Sequence, residues 1–189
     1  MKRFILTGTP GSGKTAILRP LELDGFSVVE EAATDVIALW QARGIEEAWK
    51  DIAFLDEIAA LQRQRQLRAE NDAGKMQFHD RSAVCTVALA RYLGFPITDV
   101  LGKELERIET QGIFQRRIFF VRNLGFVAPT EARRISYEEA LRFERIHEEA
   151  YREFGFEIVS IEAASLADRV SRIEALAEED CIPRRNGFV

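Results

Sequence analysis

The segment that most limits what this chain can fold into is Gly8-Thr9-Pro10-Gly11-Ser12-Gly13-Lys14-Thr15. It matches Gly-x4-Gly-Lys-Ser/Thr, the Walker A pattern. Average residue frequencies give a chance match in a chain of this length only about one time in a hundred. The context narrows it further. Arg3–Thr7 reads as a short buried strand ahead of the loop, and Gly13–Leu23 as a helix after it. Glycines let the loop turn its N–H groups inward as a nest for phosphate oxygens. The helix start adds the positive end of its dipole. Lys14 is placed for the β- and γ-phosphates and Thr15 for Mg²⁺, so ATP with Mg²⁺ is the expected cofactor.

Four more strands are read at Phe26–Glu30, Lys75–Asp80, Arg117–Val121 and Phe156–Ile161. Helices are read at 35–43, 46–71, 83–93, 98–111, 136–154 and 165–178, and Pro20 predicts a kink or early end in the first helix. Strands alternating with helices imply an α/β fold of three layers, a five-stranded parallel sheet with helices on both faces. At 189 residues one domain is expected, spanning 1–182 with a tail at 183–189.

A net charge of −5 argues against a nucleic-acid partner held by a general basic field. Cys85 and Cys181 are too few and too far apart for a zinc site or a disulfide framework. The N-terminus has no signal-peptide core, and no apolar run reaches membrane-spanning length. These features predict a cytoplasmic protein without a membrane partner. Whether it is a monomer or a homodimer is not encoded legibly.

The type of nucleotide protein follows by elimination. No Asn is followed by Lys, which excludes the usual guanine-specific GTPase motif. The third strand ends in Asp80-Arg81-Ser82, not in the Asp-Glu of mechanical ATPases. A compact kinase with a lid remains. Asp80 is a candidate for Mg²⁺ or for receiving the acceptor's proton, and Arg81 for an anionic group. Glu30-Glu31 closes the second strand at the ligand-binding edge of an open sheet. Two adjacent buried carboxylates are costly, so at most one points inward. Arg133 and Arg134, with Arg122 as a further candidate, lie in a loop at 122–135 that reads as a lid bringing positive charge to the transferred phosphoryl group. His79 reads as structural and His147 as a solvated residue in mid-helix. Trp40 and Trp49 read as core or substrate-cleft packing, core being favoured, and Arg63, Arg65 and Arg68 as a solvated helix face in preference to a grip on an anionic substrate.

Four segments together resemble a known family. They are Phe-Ile-Leu-Thr-Gly-Thr-Pro-Gly-Ser-Gly-Lys-Thr at 4–15, Gly-Phe-Ser-Val-Val-Glu-Glu-Ala-Ala at 25–33, Phe-His-Asp-Arg-Ser at 78–82 and Glu-Ala-Arg-Arg-Ile-Ser-Tyr-Glu-Glu-Ala at 131–140. The chain resembles the P-loop domains related to the nicotinamide-riboside kinase part of NadR, often described as AAA-type ATPases or predicted kinases. The resemblance implies a nucleotide-kinase-like fold, ATP with Mg²⁺, and a lid holding Arg133 and Arg134. It also favours Glu31 over Glu30. Many relatives carry Arg where this chain has Thr34, which puts the acceptor in question. The leading expectation is a small-molecule kinase with a hydroxyl or phosphate acceptor. Lys14, Asp80, Glu31, Arg81, Arg133 and Arg134 would carry the reaction, with Thr15 and Asp80 on the metal. The rival is a nucleotide-dependent switch or ATPase with a macromolecular partner.

Overall fold

In the computed structural model, residues 1–72, 74–125 and 136–181 are described. Five strands form one sheet: β1 (Lys2–Thr7), β2 (Ser27–Val29), β3 (Met76–Asp80), β4 (Arg117–Val121) and β5 (Glu157–Ile161). Every pairing is parallel and the spatial order is β2-β3-β1-β4-β5. Thus β1 lies at the centre, and the loop that follows it is flanked by the ends of β3 and β4.

Side chains alternate across the pleat. Phe4, Leu6, Phe78, Phe119 and Val121 pack on one face with Ile17, Leu18 and Leu21 of α1 (Lys14–Leu23). Val170, Ile173 and Ala177 of α7 (Leu166–Cys181) complete that layer. Ile5, Ile118 and Phe120 point the other way, onto α4 (Ala83–Leu93), α5 (Asp99–Thr110) and α6 (Tyr137–Glu153). The three-layer arrangement read from the sequence is therefore the one found. A smaller apolar cluster joins α2 (Ala33–Ala42) to α3 (Ala53–Arg68) through Val36, Trp40, Phe54 and Ile58.

Several local expectations differ from the structure. The predicted helix over 46–71 is a short 3₁₀ turn at Ala48–Lys50, then α3, then a second 3₁₀ turn at Ala69–Asn71. Asp51 divides the segment because its carboxylate accepts from the Ala53 amide at 2.9 Å, a local bond that competes with helix. Helix α1 does not end at Pro20 but continues to Leu23, and the Pro20 carbonyl accepts from Asp24 N at 2.9 Å. Ser136 and Glu139 form a capping box that opens α6, where the sequence places the start of a helix. No helix among the described residues is long and apolar enough to cross a membrane. Most of the expected lid, including Arg133 and Arg134, and the expected tail at 183–189 lie outside the described residues.

Candidate functional site

The site is built where β1, β2 and β3 end. From β1 the chain enters the loop Gly8–Thr15, in which Gly8 (φ 134°) and Gly13 (φ 85°) adopt backbone conformations that L side chains rarely take. A Cβ on Gly8 would lie 2.3 Å from the Val121 carbonyl oxygen, so the loop is pressed against the end of β4. Lys14 is 7% exposed, and its ammonium donates to Gly8 O at 3.0 Å, Thr9 O at 2.9 Å and Ser12 Oγ at 3.2 Å. The loop is thus curled around its own lysine. Behind it, Arg169 of α7 donates from Nη2 to Ser12 O at 2.6 Å.

Strand β3 delivers Asp80, buried at its end, and then Arg81 and Ser82. Arg81 is the one non-glycine residue with positive φ (73°) among the described residues. Its amide donates to Leu6 O at 2.9 Å, and the Ser82 hydroxyl caps α4 by accepting from Val84 N. The Arg81 side chain swings toward β2, where Nε donates to Glu31 Oε2 at 3.0 Å. Both side chains of this ion pair are largely buried, at 12% and 14% exposure. Burial works against the guanidinium's charge, but Glu31 foremost more than offsets it, and Arg81 stays cationic. The second Glu31 oxygen, Oε1, accepts from the Thr34 hydroxyl.

The adjacent carboxylates at the end of β2 part company, as the cost of burying both requires. Glu30 turns outward to pair with Arg19, whereas Glu31 turns inward. Arg65 fixes this corner: its guanidinium donates to the Glu31 carbonyl and to the Asp35 carboxylate. It is a strap across the β2–α2 turn, not the solvated residue the sequence suggested.

Two cavities meet here. One, of about 210 Å³, is lined by Gly11, Gly13, Lys14, Thr15, Asp80 and the Glu31–Arg81 pair. The other, of about 360 Å³, runs between α2, α3 and α4. Its walls are mostly apolar, with Trp49, Phe54, Leu89 and Tyr92 among them, and it reaches the same Glu31 and Arg81. Gln62 lines it as well; that residue is 8% exposed, and its Nε2 has no hydrogen-bond partner among the described residues. Trp40 belongs to the core and donates to Glu57 Oε2 at 2.7 Å, whereas Trp49 lines the cavity.

Sequence reasoning missed the residues behind Arg81. His147 is not solvated but fully buried, against Phe143 and Arg81. Tyr151, one turn further along α6, is also fully buried and bonds Ser82 Oγ at 2.9 Å and Cys85 Sγ at 3.0 Å. Helical spacing would have found both: Ala140, Phe143, His147, Ala150 and Tyr151 form one stripe at three- and four-residue intervals. Arg122 is engaged elsewhere, held by Glu144, Glu148 and Ser160 and stacked over the Phe120 ring at 4.7 Å. His79 is buried between Gln77 and Phe114, consistent with a structural part.

The oxygen donors facing the loop suit a hard divalent cation. Thr15 offers a hydroxyl and Asp80 a carboxylate in one cavity. Among the described residues no cluster of three His, Cys, Asp or Glu side chains forms a metal cage of its own. One carboxylate plus phosphate oxygens and water is the usual Mg²⁺ arrangement.

The fold is shared with deoxyadenosine kinase from M. mycoides. The structure of that enzyme with bound dATP superposes with a TM-score of 0.60 at 13% identity, covering 93% of this chain and 99% of the other. A second structure of it, with the products dCMP and a flexible dCDP bound, gives 0.58 at 11% identity, covering 94% and 99%. At such identities the likeness concerns the fold. No curated protein matches the chain. The model of the AAA domain family matches residues 3–169, from the head of β1 to the α7 arginine that holds Ser12, and the chain belongs to that family.

Proposed function

We propose that this chain is an ATP- and Mg²⁺-dependent small-molecule kinase whose acceptor is an uncharged, nucleoside-like molecule bearing a hydroxyl group. One observation carries the reading: the phosphate-loop cavity and the apolar cavity share the Glu31–Arg81 pair as a common wall. A donor phosphoryl group on one side and an acceptor on the other would meet there. The aromatic and aliphatic lining suits a flat ring, and the unpartnered amide of Gln62 suits a polar group on that ring's edge. Among the described residues Arg81 is the cation lining this cavity, and Glu31 already pairs with it, which favours a neutral acceptor over a phosphorylated one. The nucleotides bound in the structures of M. mycoides deoxyadenosine kinase are in keeping with this class.

In this reading Gly8–Thr15 cradle the triphosphate, and Lys14 exchanges its loop carbonyls for phosphate oxygens. Thr15 and Asp80 would hold Mg²⁺, which when bound neutralises phosphate charge. Glu31 faces both cavities and is the base, while Asp80 faces the phosphate cavity. The acceptor hydroxyl gives its proton to Glu31 as its oxygen bonds the γ-phosphorus; the bond from that phosphorus to the β–γ bridging oxygen breaks, and ADP leaves. Arg81, joined by Arg133 and Arg134 from outside the described residues, stabilises charge on the moving group.

A panel of ribonucleosides and deoxynucleosides incubated with ATP and Mg²⁺ tests this. ADP formation that rises sharply with one member supports the kinase. Slow hydrolysis indifferent to every acceptor supports the switch instead.

A further inference from the structure

Besides Glu31 and the Cys85 side chain, the Arg81 guanidinium has a neighbour on α6. His147 is fully buried, and its Nδ1 lies 3.0 Å from the Phe143 carbonyl oxygen. A carbonyl only accepts, so Nδ1 carries the ring proton. In the neutral imidazole, Nε2 is then a bare lone pair, and it faces Arg81 Nη1 at 3.5 Å. Phe143 also packs edge-on against the ring with centroids 4.2 Å apart, which limits its rotation. Burial first, then the positive charges of Arg81 and Lys14, hold the imidazole pKa at about 3, so the ring stays neutral at physiological pH.

Arg81 needs such support. A left-handed backbone at a non-glycine residue is strained and persists only where its surroundings impose it. Here α6 reaches two consecutive residues: His147 faces Arg81, and Tyr151 bonds Ser82. A carboxylate in place of His147 would cancel the Arg81 charge, and an ammonium would repel it. A neutral acceptor can orient the guanidinium and leave its charge for substrate.

We propose that His147 is a positioning residue, a proton-free Nε2 acceptor that works with Glu31 to hold the Arg81 guanidinium across the boundary between the two cavities. What Arg81 is held for rests on the kinase reading above; the holding itself is tested without any substrate.

The direct test is ¹⁵N NMR of the free protein, with the Arg81 signals assigned from an Arg81→Lys spectrum. The wild type should show His147 as the neutral Nδ1–H tautomer between pH 6 and 8 and a slowly exchanging Arg81 Nη–H. His147→Leu should speed that exchange about tenfold, the factor expected for losing one hydrogen bond. His147→Gln, which keeps an acceptor oxygen, should restore most of it. An Nε2–H tautomer in the wild type overturns the proposal even if the Leu variant fails to fold. Equal exchange in the Leu and Gln variants overturns it too, because the ring would then act only by filling space. Turnover of ATP with deoxyadenosine as probe should fall in kcat more than rise in KM for His147→Leu. If no variant, wild type included, turns over any acceptor, the kinase reading fails while the NMR result stands on its own.

Discussion

Lowering the pH from 7 to 5 destabilises the fold through the chain's two histidines. His79 and His147 are its complete set, and both are fully buried. In the folded chain burial, with Arg3 beside His79 and Arg81 beside His147, lowers each pKa to about 3. Unfolded, each imidazole returns to about 6.5. Between those values the unfolded chain takes up two protons that the native chain refuses, so stability falls as pH falls. Each ring contributes about 1.4 kcal/mol per pH unit once below its unfolded pKa, or about 2 kcal/mol between pH 7 and 5. Two rings give about 4 kcal/mol, a large share of the roughly 5–15 kcal/mol by which domains are stable. Three carboxylates with lowered pKa act mainly below this window. Ser136 at Glu139, Arg91 at Glu153 and, against the pull of burial, Arg122 at Glu148 lower those groups from 4.5, so their stabilisation is lost only at lower pH. Burial raises Glu174, which opposes the trend weakly from its half-buried position. Urea titrations followed by Trp40 and Trp49 fluorescence at half-unit pH steps measure the slope. A slope near two protons between pH 6 and 5, halved in a folded His147→Leu variant, is expected. A slope under one proton, or one that the substitution leaves unchanged, refutes the neutral burial of these rings.

Lys14→Ala should weaken ATP binding about 100-fold in calorimetry, since two charge-assisted bonds to phosphate are lost; unchanged affinity in a folded variant would sink the phosphate-loop assignment. Gly8→Ala forces a Cβ to 2.3 Å from a backbone oxygen at a φ of 134°, and should cost about 3 kcal/mol in urea unfolding. An unaltered midpoint would mean the β1 and β4 ends are not pressed together. Asp80→Asn should reduce acceptor-dependent turnover at least about 100-fold while ATP affinity falls far less. Turnover within about twofold at saturating Mg²⁺ would leave Asp80 a structural residue.

What could be read in advance follows physical lines. The loop at 8–15, the strand Arg117–Val121, the helix Ala83–Leu93 and the capping box at Ser136 depend on neighbours close in sequence, and the chain spells them out. The separation of Glu30 from Glu31 was half legible: the cost of burying two like charges says that one must turn away, but Arg19 and Arg65 decide which. His147 was misread because Arg145, Glu148 and Glu149 beside it are charged, while its helical neighbours Phe143, Ala150 and Tyr151 are buried. Face mattered there, and adjacency misled. Strand order and the shared wall of the two cavities depend on contacts between residues far apart, which no local pattern carries.

The position of β1 at the centre of the sheet has a cost in time. Phe4 pairs with Phe78 and Ile5 with Ile118, so this strand's partners are made about seventy and a hundred and ten residues later. At the usual rates of synthesis the first partner follows after roughly 4–15 s. Until then an apolar strand has both hydrogen-bonding edges open, and the loop of residues 8–15 has no β4 end to press against. Closing such long loops is an entropic barrier, so folding should be slow for the size of the chain. A nascent chain halted before Met76 should engage a holdase, and one extended past Val121 should release it.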